Sequence, residues 1–137
     1  GDIVLRKRLG QHLLRDPRIS HAIARSAQVE PHEHVLEIGP GTGNLTVPLL
    51  ERCESVTAIE LDESLARQCE GRVGKLGMRD RLKLVRGDAL RVEWPRFDAL
   101  VANIPYQITS PLLERLLVDH TQPPPAPRVA VMLIQQE

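Results

Sequence analysis

Aromatic side chains are almost missing from this sequence: among 137 residues there are only Trp94, Phe97 and Tyr106. A groove that binds single-stranded nucleic acid by stacking a row of bases is excluded, because each stacked base needs its own ring. The core must instead be built from Val, Leu, Ile and Ala, which a hydrophobic content of 42% allows. Cysteine is scarce too. Cys53 and Cys69 stand sixteen positions apart, with no CxxC and no histidine at ligand spacing. Neither a zinc site nor a disulfide framework is indicated, and no metal is expected. Long apolar runs are absent: the nearest to one, Val129 to Ile134, falls far short of the ~18 residues needed to span a bilayer. The basic residues of Gly1 to Arg8 are followed by no apolar stretch that would read as a secretory signal. A protein of the cell interior, without a membrane partner, is the expectation.

Net charge is also lacking, but its zero sum hides an uneven distribution. Residues 1–28 carry +4, residues 29–70 carry −7, residues 71–98 carry +4 and residues 99–137 carry −1. Basic stretches flanking an acidic middle suit a polyanion gripped at the edges of a site and a cationic ligand held inside it. The length supports one domain with one core.

What is present is an alternation of strand and helix signals. Asp16-Pro17 writes a helix start, with Asp as N-cap and Pro in the first turn, followed by Ile19, Ala22, Ile23 and Ala27 at helical spacing. The residues before it read as an arm. Strands are expected at His34–Ile38, Ser55–Glu60, Leu82–Arg86, Asp98–Ala102 and Arg128–Ile134. Helices are expected from Asn44 to about Arg52, from Asp62 to about Val73, and after a cap at Ser110-Pro111. Such alternation implies a doubly wound, mostly parallel sheet with its ligand beyond the carboxyl ends of the strands.

Four groups of residues follow the first four of these strands: Gly39-Pro40-Gly41-Thr42-Gly43, Glu60, Gly87-Asp88, and Asn103-Ile104-Pro105-Tyr106. Glycines after the first strand let backbone approach a ligand closely, and Glu60, 21 positions beyond Gly39, is placed to accept both hydroxyls of a ribose. The spacing differs from the dinucleotide pattern: the third glycine comes one position early, and Asn44 stands where helix and strand should pack. S-adenosylmethionine is favoured over NAD. Glu37, just before the turn, fits that choice, because a carboxylate balances a sulfonium but repels a pyrophosphate. Asp88 is placed to accept a hydrogen bond from the exocyclic amine of the cofactor's adenine.

Asn103 to Tyr106 points to the reaction. The lone pair of an exocyclic amine on a purine is delocalised into the ring, so the amine attacks a methyl group poorly until two acceptors orient its N–H bonds. The side-chain oxygen of Asn103 and the backbone carbonyl of Ile104, steadied by the fixed φ of Pro105, supply two. Tyr106 would stack on the target base, worth roughly 1 to 3 kcal/mol.

Taken together, these residues resemble the ribosomal RNA adenine N6,N6-dimethyltransferase family. Gly10 to Pro17 is similar to that family's N-terminal cofactor segment, Leu36 to Thr46 to its glycine motif, and Val101 to Pro111 to its eukaryotic and archaeal branch. Gln107 stands where the bacterial branch usually has Asn. The resemblance implies a Rossmann-like, class I S-adenosylmethionine-dependent methyltransferase fold, with a basic arm and cofactor segment over residues 1–15 and the catalytic domain over 16–137. It further implies cofactor contacts at His12, Leu14, Gly39, Glu60, Asp88 and Asn103, beside Glu37 and Gly41 as read from the residues themselves. The implied activity is double methylation of two adjacent adenines near the 3′ end of small-subunit rRNA during ribosome biogenesis, in the nucleus or nucleolus of a eukaryote and otherwise in the cytoplasm.

The family continues with two further strands and a helical domain, so the chain reads as a fragment truncated after its fifth strand. That fifth strand is expected to be an exposed edge through which the fragment pairs with a second copy, whereas the full-length protein is expected to be monomeric. Such a fragment is expected to bind rRNA poorly and to turn over slowly. Two other readings stand beside this one: a different amine or amide N-methyltransferase, which would usually carry Pro-Pro where Ile104-Pro105 stands, and an RNA-binding assembly factor of the same fold with little catalysis.

Overall fold

The computed structural model describes residues 2–7, 16–119 and 129–135. Within them the chain runs β1 (Asp2–Lys7), α1 (Pro17–Ser26), β2 (His34–Ile38), α2 (Thr46–Leu50), β3 (Ser55–Glu60), α3 (Glu63–Lys75), β4 (Leu82–Arg86), β5 (Ala99–Pro105), α4 (Tyr106–Glu114) and β6 (Val129–Gln135). The six strands form one sheet in the order β1-β6-β5-β2-β3-β4, every neighbouring pair parallel. Chain order reverses at β2, with β3 on one side of it and β5 on the other. Ligands of open α/β sheets bind at such a reversal.

Strand periodicity sorts side chains onto two faces. Val35, Val56, Ala58, Ala99, Val101, Val131 and Leu133 pack with Ile23 and Ala24 of α1, Leu49 and Leu50 of α2, and Cys69 and Val73 of α3. Leu36, Ile38, Ile59, Leu100, Ala102, Ile104 and Met132 face the other way, onto Phe97 and onto Leu112 of α4. β2 and β5, in the middle of the sheet, are covered on both sides and are apolar at nearly every position, as a buried parallel sheet requires.

The expected caps form. Asp16 Oδ1 accepts from the Arg18 amide at 3.0 Å ahead of Pro17, and Asp62 Oδ1 accepts from the Leu65 amide at 3.0 Å. Each satisfies an N–H that the first turn of a helix leaves without an intrahelical acceptor.

Several expectations are corrected. The last strand is not an edge: β1 lies along its outer side, in parallel register from Asp2 opposite Val129 to Lys7 opposite Ile134. The outer edge is therefore β1, and the arm contributes a sixth strand beside the five expected. Its pairing is with residues more than a hundred positions away, which a local pattern does not show. The helix read from a cap at Ser110-Pro111 begins instead at Tyr106, with Pro105 in extended conformation as N-cap and Pro111 inside the helix. β5 also runs three residues beyond Ala102, so that Asn103 to Pro105 are its last residues and not a loop after it.

Leu100 is fully buried in the middle of β5. Leu100→Ala is expected to destabilise the fold by about 2 to 5 kcal/mol. The check is urea denaturation, in which the midpoint falls and the slope stays constant.

Candidate active site

The same periodicity that builds the core also assembles the site. Glu37 continues the face of Val35, Glu60 that of Val56 and Ala58, Asn103 that of Ala99 and Val101, and Gln135 that of Val131 and Leu133. Four polar residues at four strand ends thus share the face covered by α1, α2 and α3. Together with the glycine turn they border a cavity of about 590 Å³. Its wall includes Gly39, Gly41, Asp62, Asp88, Ile104 and Pro105. Among the described residues lining it are four carboxylates, Glu37, Glu60, Asp62 and Asp88, and no Lys, Arg or His.

The turn after β2 is held by close approaches. Gly39 has φ +75°, and a Cβ added there would stand 2.3 Å from the backbone oxygen of Asn103. Only glycine satisfies both conditions. Gly41 has φ +57°, an added Cβ there would meet nothing within 4 Å, and its N–H donates to Glu60 Oε1 at 2.9 Å. The other Glu60 oxygen accepts from the Asp62 amide at 3.0 Å. The carboxylate is thus pinned between the turn and the start of α3, and each oxygen keeps acceptor capacity for a ligand. Gly43 serves packing: a Cβ there would meet Cys69 Sγ of α3 at 3.2 Å. Asn44 does not fill a helix–strand contact; its side-chain oxygen accepts from Arg72 of α3.

Glu37 is buried and accepts from the Thr46 hydroxyl at 2.5 Å. Burial pushes its carboxyl up to about 7, the Thr46 hydrogen bond opposes that rise, and the charge of Glu60 adds to it. Asp88 Oδ1 accepts from the Leu90 amide at 2.9 Å, and Oδ2 lies 3.6 Å from Arg91. Ile104 has a buried side chain, while Tyr106 opens α4 with 64% of its surface exposed, so it is not a core ring. Tyr106 stands outside the cavity wall, next to Pro105 within it. His12 and Leu14 lie outside the described residues.

Sequence reasoning missed two residues. Arg115, the C-cap residue of α4, donates to the carbonyls of Ala89 and Val92 and lies 4.3 Å above the Trp94 ring. The Trp94 indole N–H donates to the same Ala89 carbonyl at 2.9 Å, and Trp94 meets Phe97 edge-on at 6.0 Å. Arg115 therefore ties the helix that begins at Tyr106 to the loop that carries Asp88; a lone Arg on an amphipathic helix gives no sequence signal for this. Gln135 donates to Asn103 Oδ1 at 3.2 Å. Cys53 and Cys69 are free and buried, and burial pushes their thiols up to about 12 and about 11, which leaves them unreactive.

Residues 4–137 match the model of the family described as ribosomal RNA adenine dimethylase. The chain belongs to that family. It is 46% identical to a probable dimethyladenosine transferase of Dictyostelium discoideum, over 97% of this chain and 41% of that protein. It is 44% identical to a mitochondrial ribosomal RNA small subunit methyltransferase of Arabidopsis thaliana, over 98% of this chain and 34% of that protein. A crystal structure of a dimethyladenosine transferase from Plasmodium falciparum superposes with a TM-score of 0.78 at 37% identity, covering 88% of this chain and 42% of that one. The chain thus spans about two fifths of the length of such relatives. With such relatives the chain shares a methyltransferase fold.

Two expectations follow from this geometry. Gly39→Ala places a methyl against the Asn103 carbonyl and should destabilise the protein by well over about 1 kcal/mol, whereas Gly41→Ala should carry only the roughly 1 to 2 kcal/mol cost of positive φ. Chemical denaturation of both variants provides the comparison. Glu37 has a raised pKa, so the folded state binds its proton more tightly than the unfolded chain does. That stabilisation is complete below about pH 4.5 and is lost as pH rises through about 7. Glu37→Gln should remove this contribution, which in wild type falls by no more than roughly 1.4 kcal/mol per pH unit; denaturation at a series of pH values measures the difference.

Proposed function

We propose that this chain is the cofactor-binding and catalytic part of an rRNA adenine N6,N6-dimethyltransferase, acting on adjacent adenines near the 3′ end of small-subunit rRNA in ribosome biogenesis. The observation that carries the reading is the meeting of Asn103, Ile104 and Pro105 with the glycine turn and Glu60 around one cavity. The names of the Dictyostelium and Arabidopsis relatives support the activity and the ribosomal subunit.

The residues fit S-adenosylmethionine. The wall is acidic, as a cationic ligand prefers, the turn at Gly41 is open, and Glu60 is pre-oriented at the end of the neighbouring strand. When bound, the cofactor supplies a methyl group on a sulfonium. Glu60 would hold its ribose, Asp88 its adenine amine, Gly39 and Gly41 its approach to backbone, and Glu37 would balance its positive charge, with His12 and Leu14 of the arm contributing from the other side. The Asn103 side chain and the Ile104 carbonyl would accept the two N–H groups of the target amine, and exposed Tyr106 would stack on its ring. No strong base is needed: the methylated nitrogen becomes acidic and gives its proton to water. The gain comes mainly from placing amine and methyl group in line.

The rRNA partner would lie over Tyr106, and the compartment would be the nucleus or nucleolus in a eukaryote and otherwise the cytoplasm; one relative is named as mitochondrial. Among the described residues no helix is long and apolar enough to cross a membrane, and no group of three or more His, Cys, Asp or Glu is arranged to hold a metal.

Calorimetry with S-adenosylmethionine should show binding by wild type and an affinity about ten- to a hundredfold lower for Glu60→Ala, the loss of hydrogen bonds to a charged acceptor. No heat with wild type would reject the reading. Tyr106→Ala should lower methyl transfer to small-subunit RNA by about ten- to a hundredfold, as roughly 1 to 3 kcal/mol of stacking is lost, with cofactor affinity nearly unchanged. Full activity in that variant would show that the ring does not carry the base.

A further inference from the structure

The amide of Asn103 has two ends of nearly equal size and opposite polarity. Turned one way it offers an acceptor to the target amine; turned the other way it sets N–H groups against N–H groups. Nothing within Asn103 to Tyr106 decides between them. A donor from the neighbouring strand favours the first: Gln135 Nε2 donates to Asn103 Oδ1 at 3.2 Å.

We propose that Gln135 is a positioning residue that holds Asn103 with its oxygen available to the substrate amine. The proposal rests on the methyltransferase reading above and deepens it. Gln135 stands opposite Pro105 in the β5–β6 register, as Leu133 stands opposite Asn103, so its side chain is the diagonal neighbour of Asn103 on the same face. Both residues line the cavity. A carbonyl oxygen has two lone pairs; the hydrogen bond from Gln135 uses one and leaves the second for the substrate. The role needs a donor at position 135. An ionised carboxylate there would only accept, and would draw the NH2 end of Asn103 toward itself.

The test uses the full-length protein and three forms: wild type, Gln135→Leu and Gln135→Glu. It measures kcat and KM for small-subunit RNA and calorimetric affinity for S-adenosylmethionine, at about pH 6 and about pH 8. Gln135→Leu should lose about a hundredfold in kcat, the scale of a misplaced reacting group, with KM and cofactor affinity unchanged. Gln135→Glu should show the same deficit at about pH 8 and recover toward wild type, compared at the same pH, at about pH 6, where a protonated carboxyl donates again. The acidic groups that share the cavity with the introduced carboxyl are Glu37, Glu60, Asp62 and Asp88, whose negative charge shifts its titration upward. Glu37 titrates in wild type as well, and the same-pH comparison removes its contribution.

Losses confined to KM or cofactor affinity, or a Gln135→Glu deficit that is equal at both pH values, would overturn the proposal. Wild-type activity matched by Gln135→Leu would also overturn it, while leaving the methyltransferase reading intact; a wild type that neither binds cofactor nor methylates RNA would overturn that reading itself. Should Gln135→Leu fail to fold, the pH response of Gln135→Glu decides alone.

Discussion

The backbone carbonyl of Asn103 occupies the space where any residue but glycine at position 39 would place its Cβ. This contact joins the ends of β2 and β5, the two strands between which the chain order reverses. Bringing them together needs β5 to run on to Pro105, so that Asn103, Ile104 and Pro105 end a strand and are held by the sheet. It also needs the turn after β2 to fold back with positive φ at Gly39, Gly41 and Gly43. Everything else at the site is placed with respect to this junction: Glu60 is tied to it through the Gly41 amide, and Gln135 through the Asn103 side chain.

A second constraint is electrostatic. Four carboxylates around one cavity repel one another, and the protein relieves this unevenly. Glu60 accepts from two backbone amides and Asp88 from the Leu90 amide, while burial raises the carboxyl of Glu37, set against Thr46, to about 7. An acidic, partly desolvated cavity attracts a cation and strengthens its hold once the cation has displaced water. The uneven charge along the chain is thereby explained in part: Glu37, Glu60 and Asp62 of the acidic middle segment line the cavity, while basic residues such as Arg67 and Arg86 lie outside it and pair with exposed Glu63.

Much of this was legible in order along the chain. His34–Ile38, Ser55–Glu60 and Leu82–Arg86 are apolar runs bounded by turn residues, and each became a strand with the expected limits. Asp62 and Asp16-Pro17 signal their helices by local hydrogen bonding that needs no tertiary partner. The start of α4 was misread for an equally local reason: Ser-Pro normally opens a helix, but here the strand delivers Pro105 in an extended conformation, and the helix is already under way when Pro111 arrives. β1 was missed because a strand exists by virtue of its partner, and the partner of Asp2–Lys7 is β6.

By itself, then, the sequence determined the chemistry of the strand ends, because glycine, carboxylate and amide residues appear directly after apolar runs whose period of two already assigns them a face. It also determined the family, through motifs that cover nearly the whole chain. The tertiary structure alone decided which of those ends touch. That Gly39 meets a carbonyl 64 residues later, that Arg115 braces the loop of Asp88, and that Gln135 orients Asn103 all depend on strand order, and strand order is set by packing between segments distant in the chain. Local residue patterns carry no record of such neighbours, since each partner reads as an ordinary strand or helix residue until the sheet brings them within hydrogen-bonding distance.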